Sequence, residues 1–275
     1  MNKSIISLDN VIYRYPHAPE GAAALDGISL SIKPGEFIGL VGANGSGKST
    51  LARLLNALIV PDSGEVLVDG LKTDDRANVN AIRETVGMVF QNPDSQIVAT
   101  SVEDDIAFGL ENLGLPSDEI DSRVAESAVR FKIAELLAKE PHWLSGGQKQ
   151  RTVLAGVVAL RPKVLVFDEP TSMLDPLSQQ EFHGLVGELW HAGTAIVMIT
   201  HIMEELVDAS RVIALADGRV EFNGAPRELF SNSGLLNKAG LLPPLAARLN
   251  ASLAARGLNL PVPLSLAELV ENICA

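Results

Sequence analysis

Apolar positions recur along the chain in two rhythms. Short continuous runs at 36–41, 85–90, 164–167 and 194–200 are bounded by glycine, proline or charged residues. Their length and composition predict strands buried on both faces. Looser alternation at 4–12, 24–32 and 65–70 predicts half-buried strands. Apolar residues spaced three and four apart predict helices at 51–58, 102–113, 117–137 and 146–160, and a further one from Pro176 to about 191. Ser117, followed by acids, reads as the N-cap of the 117–137 stretch. The strands expected at 211–216 and 219–223 flank Asp217-Gly218, the strongest short hairpin signal. Residues 71–84 are polar with one short helix, and Pro226 opens another. Strands alternating with helices predict an α/β fold around a parallel sheet, with 91–140 as a helical insertion. From 231 the chain turns rich in Leu, Ala and Pro. It reads there as a small helical tail domain, with helices near 245–256 and 265–273.

Composition narrows the classes. At 275 residues with 47% apolar side chains, the chain can bury a large core. The formal net charge is −12, whereas a chain that binds nucleic acid through its overall charge carries a basic face. No run reaches the roughly 18 apolar residues of a membrane span, and residues 1–6 lack the apolar core of a secretion signal. Work at a membrane would therefore need another chain to hold this one there. The only cysteine, Cys274, excludes an internal disulfide, suits a reducing compartment and reads as an incidental tail residue.

The candidate chemistry begins at Gly42-Ala-Asn-Gly-Ser-Gly-Lys-Ser-Thr50, which fits G-x-x-x-x-G-K-[ST] between an expected strand and an expected helix. Glycines let the backbone approach phosphates, and the helix start offers open N–H groups and a favourable dipole. Lys48 would reach the β- and γ-phosphates, and Ser49 would sit on Mg²⁺. Asp168-Glu169 directly follows the buried run 164–167. An acid there, beside a phosphate loop, holds Mg²⁺ through water, and the next acid can orient or deprotonate an attacking water. Leu144-Ser-Gly-Gly-Gln148 opens a helix and is a second anion-ready terminus.

With this last motif intact and followed by Lys-Gln-Arg, the sequence closely resembles the ATP-binding-cassette ATPases over residues 4–230. The resemblance implies a P-loop NTPase of the ABC type: a RecA-like parallel sheet core, an antiparallel β subdomain and a helical signature subdomain at about 91–160. It implies ATP bound by Gly42, Ala43, Asn44, Gly45, Ser46, Gly47, Lys48, Ser49 and Thr50. Tyr15 would stack on adenine, with Tyr13 as the lesser candidate. Mg²⁺ would be held by Ser49, Gln91 and Asp168. Glu169 would be the catalytic glutamate, His201 the switch histidine near the γ-phosphate, and Gln91 the contact to the attacking water. Ser145, Gly146, Gly147 and Gln148 would cap the ATP of an opposite subunit, and Ser172-Met-Leu-Asp175 would face that subunit. Singly, Tyr15 reads as a packing residue, Gln91 as a surface amide and His201 as a hydrogen-bonded structural histidine; order and spacing single them out.

The stretch Phe90 to Leu113, Thr171 to Pro176 and the tail from Gly240-Leu-Leu-Pro-Pro244 resemble the ATPases of energy-coupling factor (ECF) transporters, which take up vitamins or transition-metal ions. This implies a second ATPase subunit, identical or paralogous, and a dimerising tail at 231–275 behind a cassette at 1–230. It also implies a transmembrane coupling protein docking near 91–110, where Asp94, Glu103, Asp104 and Asp105 would meet arginines, and a substrate-binding membrane protein contacted indirectly. The chain would work peripherally at the cytoplasmic face of the membrane, with no nucleic acid. The alternatives are a soluble cassette ATPase acting on nucleic acid or ribosomes and a regulatory ATPase. The transported substrate is not legible.

Overall fold

In a computed structural model, which describes residues 4–17, 19, 21–258 and 260–274, the four continuous apolar runs and the strand expected at 211–216 become five strands of a six-stranded sheet. These are β3 (Phe37–Val41), β6 (Val86–Val89), β7 (Val164–Asp168), β8 (Ala195–Ile199) and β9 (Arg211–Ala216). With β10 (Arg219–Gly224) the order is β10-β9-β3-β8-β7-β6. Every pairing is parallel except the β9–β10 hairpin. At its turn Asp217 and Gly218 take φ of 49° and 74°, as a two-residue hairpin with right-handed strand twist requires.

The alternation hidden inside these runs explains their uninterrupted apolarity. Leu165 and Phe167 of β7 enter one core, and Val164 and Val166 enter a second. Ile196 and Met198 of β8 likewise part from Ala195, Val197 and Ile199. The second core is closed by α1 (Lys48–Leu55) and by the antiparallel sheet β2-β1-β4-β5. Its strands are β1 (Ile6–Tyr13), β2 (Leu25–Ile32), β4 (Ser63–Val68) and the short β5 (Leu71–Lys72). The first core takes in α6 (Pro176–His191) and the insertion between β6 and β7, formed by α3 (Val102–Asn112), α4 (Ser117–Arg130) and α5 (Gly146–Ala159). Helix α2 (Val79–Thr85) leads into β6 and adds Ile82 to the second core.

Several elements differ from expectation for local reasons. Helix α1 starts at Lys48 and stops at Leu55, because Ala57 adopts φ 52° and Leu58 is exposed. The 117–137 stretch breaks at Arg130, where Lys132 takes φ 55°, and continues as a 3-10 turn at Ala134–Leu136. Ser117 does not cap α4: Pro116 occupies the N-cap and no side chain caps the helix. The sequence reading also passed over β5 and the helix α8 (Ser233–Ala239).

Helix α8 matters for the domain boundary expected at 230/231. Leu236, Ala239 and Leu241 are buried in the same core as the strands, continuous with Leu229 and Phe230 of α7 (Pro226–Phe230). Beyond Leu241 fewer side chains are buried, although Val262 and Leu264 still pack against the same core. There α9 (Leu245–Ala254) buries Ala246, Ala247 and Asn250, and α10 (Leu266–Cys274) buries only Leu269. Residues 1–3 and 275, the outer ends of the expected domains, lie outside the described residues.

Candidate nucleotide site

Four adjacent parallel strands deliver the candidate residues to one edge of the sheet. β3 runs into the phosphate loop, β8 into Thr200 and His201, β7 into Asp168 and Glu169, and β6 into Gln91. Carboxyl ends of parallel strands are where such sheets bind ligands.

The loop can be built only from these glycines. Gly42 has φ 147° and a Cβ there would lie 2.2 Å from the Leu215 carbonyl oxygen. Gly47 has φ 103° and its Cβ would meet the Ala24 carbonyl at 2.5 Å. Gly47 is also the N-cap of α1 and offers no side chain, so the leading amides of the helix stay open to an anion. Ser46 Oγ is buried with no hydrogen-bond partner among the described residues. Lys48 is 6% exposed and its Nζ donates to Gly42 O at 2.8 Å and Ala43 O at 3.0 Å. Burial pulls its pKa down, against the attraction of Glu169 and Asp168.

Ser49 Oγ donates to Asp168 Oδ1 at 3.1 Å. Burial pushes the Asp168 carboxyl up, although the Ser49 hydrogen bond opposes it. Next in the chain, Glu169 stands at φ 50°, a left-handed backbone unusual for a branched-chain-sized side chain. Its Oε1 lies 2.7 Å from His201 Nε2, and its Oε2 accepts from Gln91 Nε2 at 3.1 Å. The three expected catalytic side chains therefore meet at one carboxylate. Of the expected cation ligands, Ser49 and Asp168 are joined, while Gln91 instead donates to Glu169 and, at 3.4 Å, to Ser172 Oγ.

Tyr15 is 38% exposed, and its hydroxyl sits 3.1 Å from Thr50 Oγ1 on α1. Tyr13 packs edge-on against it, partly buried against the second core. Ser145 caps α5 through a closed capping box: its N–H donates to Gln148 Oε1 at 2.9 Å and its Oγ accepts from Gln148 N at 3.3 Å. The serine proton stays free for an outside acceptor. The same chain's loop 172–178 lies alongside, since a Cβ on Gly147 would approach Ser178 Oγ to 2.8 Å. Ser145 to Gln148 thus stand apart from the chain's own phosphate loop, beside exposed Trp143, Met173 and Leu177.

The sequence profile of the ABC transporter family matches residues 25–172. The chain is 50% identical over 281 residues to the energy-coupling factor transporter ATP-binding protein EcfA1 of Symbiobacterium thermophilum, covering 100% of this chain and 98% of that one. The chain belongs to the ABC transporter family. Within it, the chain falls among the energy-coupling factor ATP-binding proteins, and its activity is ATP hydrolysis. Its fold resembles that of cbiO1 from Clostridium perfringens, described as part of the ABC transporter complex cbiONQ, with TM-score 0.76 and 36% identity over 92% of this chain and 97% of that one. It also resembles the ATP-binding cassette MJ0796, a dimer bound to ADP and Pi in a post-hydrolysis state, with TM-score 0.73 and 30% identity over 80% of this chain and 98% of that one.

For this ABC ATPase, the segment after Gln91 holds more structure than its charges foretold. Gln96 folds back, accepting from Phe90 N at 3.1 Å and donating to Met88 O at 2.8 Å, which continues the edge of β6 and fixes Gln91. Asp94 pairs with Lys149 of the signature helix α5 at 2.5 Å. Asp105 accepts from Val98 N and Ala99 N, and the Asp104 carboxylate accepts from the Ser101 hydroxyl, whose oxygen in turn accepts from Asp104 N. Among the described residues, Glu103 alone of the four acids has no side-chain partner. Sequence reading missed Lys149 and the buried Glu205. An acid paired across 55 residues or buried in a 3-10 turn leaves no periodic trace.

Proposed function

We propose that this chain is the motor subunit of an ECF transporter, hydrolysing ATP between two cassette subunits to drive a transmembrane coupling protein. The observation that carries it is the meeting of Gln91, Glu169 and His201 beside the joined pair Ser49–Asp168, at the mouth of the phosphate loop.

The loop amides, Lys48 and the open start of α1 bind the phosphates. The buried, partnerless Ser46 hydroxyl and the oxygen donors Ser49 and Asp168 fit a phosphate with a hard divalent cation. Mg²⁺ held by Ser49 and Asp168 would neutralise charge on the β- and γ-phosphate oxygens. Gln91 and His201 hold the Glu169 carboxylate between them, so that one of its oxygens can orient an attacking water and accept its proton. Tyr15 stacks on the base. Ser145, whose proton is uncommitted, and the glycine amides of α5 complete the site of the other subunit. Exposed Trp143, Met173 and Leu177 give that face an apolar margin suited to a partner chain.

Among the described residues no helix is long and apolar enough to cross a membrane, so the transporter reading requires a membrane partner. Exposed Val98 and Phe108 flank the unpaired Glu103, which suits docking of a helix bearing arginine. The working place is then the cytoplasmic face of the membrane, and the cargo a vitamin or transition-metal ion.

Co-expression with a transmembrane coupling protein of this transporter class tests the reading. The expected result is co-elution in detergent and Mg²⁺-dependent hydrolysis of ATP. Hydrolysis with elution on ribosomes or nucleic acid, and none with the membrane protein, would transfer the chain to the soluble class.

A further inference from the structure

We propose that Glu205, a residue outside the nucleotide site, is a positioning residue for ATP hydrolysis that clamps the Glu169 loop to the His201 loop. The proposal rests on the reading of Glu169 and His201 as the reacting pair. Glu205 lies in the 3-10 turn Met203–Leu206, and its side chain is 2% exposed. Its Oε1 accepts from Thr171 Oγ1 at 2.7 Å and from His183 Nε2 of α6 at 2.9 Å. Thr171, itself buried, is two residues beyond Glu169 and opens the loop that leads to Asp175. On the other side, Thr200 directly precedes His201, and its hydroxyl accepts from Ile202 N at 2.9 Å, shaping the turn that carries both His201 and Glu205. The loop after β7 and helix α6 are thereby drawn onto the carboxylate of the turn that follows β8.

The need for a clamp is written in the backbone. Glu169 holds φ 50°, a left-handed conformation that is strained for a residue with a Cβ. Such a residue persists only where its surroundings over-determine it. One restraint is visible upstream, the Glu169 N–H donating to Ile199 O at 3.0 Å. Downstream, the Ser172 hydroxyl and amide donate to Glu169 O at 3.0 and 3.3 Å, and the Thr171–Glu205 bond ties that turn to the loop carrying His201. Together they fix where the Glu169 carboxylate points relative to His201.

The charge state agrees. Burial pushes the Glu205 carboxyl up, but the hydrogen bond and charge of His183, with Thr200 and Thr171, bring it below the ordinary range. It stands as a carboxylate, an acceptor only, with every recorded bond to it arriving from a donor. Its second oxygen, Oε2, is buried without a hydrogen-bond partner among the described residues, so a glutamine amide in this place would either bury a donor with no acceptor or turn that donor against Thr171 and His183.

Three variants of the full chain test this: E205Q, E205D and T171V. Each is compared with wild type for kcat and KM with Mg-ATP, for binding of a fluorescent ATP derivative, and for melting temperature. Misplacement of a catalytic group by an ångström costs up to about a hundredfold, so E205Q is expected to lose roughly tenfold or more in kcat, with KM and nucleotide binding within about twofold. T171V, which removes one donor and nearly keeps volume, should fall in the same direction by less, and E205D should recover part of the loss. A folded E205Q with wild-type kcat would overturn the clamp, as would a fall in kcat that only tracks lost nucleotide binding or lost folded protein. Should E205Q not fold, T171V decides alone: wild-type kcat overturns the proposal, and a selective kcat loss upholds it. E169Q serves as the control. Wild-type turnover by E169Q would overturn the site reading and the clamp together, whereas an inert E169Q beside an unimpaired E205Q overturns the clamp only.

Discussion

His201 Nε2 lies 2.7 Å from Glu169 Oε1, and the carboxylate's other oxygen is held by the Gln91 amide. A carboxylate accepts only, so the imidazole must present a proton at Nε2. Replacing Glu169 by Gln keeps the shape and one acceptor oxygen while removing the base. Losing a general base costs about a hundredfold to ten-thousandfold in rate. E169Q is expected to lose turnover by that order, bind ATP as wild type does, and accumulate as an ATP-bound dimer. Sedimentation with and without ATP reads the dimer, and single-turnover hydrolysis reads the chemistry. Rapid turnover by the purified variant would remove Glu169 from the catalytic role.

The backbone of the same residue gives a second, separable expectation. At φ 50° a Cβ is strained and glycine is not. E169G and E169A both lack the carboxylate, so their difference isolates the strain. After glycine's greater unfolded-state entropy is discounted, E169G should be the more stable by about 1 kcal/mol, or roughly 2 °C in melting temperature. Equal melting would mean the loop relaxes freely when the side chain goes.

Within the phosphate loop the glycines are unequal. A Cβ on Gly47 would strike the Ala24 carbonyl at 2.5 Å and Leu25 Cδ2 at 2.7 Å, while one on Gly45 meets nothing within 4 Å. Both sit at positive φ, so both alanine variants carry about 1 kcal/mol of backbone strain. Only G47A adds a clash with backbone that joins the loop to β2. G47A is expected to melt several degrees below G45A, read by thermal denaturation without nucleotide, and coincident curves would refute the rigidity of that contact.

Much of this architecture was legible in the sequence, for reasons that particular residues make plain. The runs at 164–167 and 194–200 could be read because both faces of those strands are buried, so no polar position interrupts them. Pro176 marked the start of α6 to the residue, with Asp175 capping it. Glu169, Asp168 and Lys48 were found because each adjoins a strand end or a fixed motif. The break at Lys132 was not found, because left-handed φ in a lysine leaves no compositional mark. Helix α8 escaped since its seven residues are too few to show a period. Glu205 escaped because its meaning lies in two partners that are 22 and 34 positions away in sequence.

The packing of α8 changes how a tail truncation should be cut. Deleting from 232 would strip Leu236, Ala239 and Leu241 from the core that also holds β7 and β8. Deleting 242–275 spares those buried side chains, taking from that core only the partly buried Val262 and Leu264, and removes α9 and α10; Leu266, Val270 and Ile273 of α10 are exposed at helical spacing. Such a stripe needs a partner. The 242–275 deletion is expected to keep a cooperative melt and to dimerise more weakly in the absence of ATP, measured by sedimentation. An unchanged sedimentation profile would remove the tail from dimerisation.

The tail is fastened to the cassette by a group whose protonation can be set from outside. Glu268 Oε1 pairs with Arg227 Nη2 of α7 at 2.6 Å, and Oε2 accepts from Leu264 N at 2.8 Å. The Leu264 amide hydrogen bond first, and then Arg227, hold its carboxyl below the ordinary range despite some burial. Because the folded pKa is the depressed one, the stabilisation is fully present above the unfolded glutamate pKa of about 4.3 and is lost as pH falls through the folded value. At neutral pH the fastening is therefore intact, and E268Q should release it. Hydrogen exchange is expected to quicken across 262–274 in E268Q at pH 7, with the phosphate loop unaffected. Wild type should approach the variant as pH falls below the unfolded value and through the lower folded one, where the carboxylate takes up its proton and the two proteins become alike. Equal protection of the two at pH 7 would show that Val262 and Leu264, packed on the core, hold the tail without the ion pair.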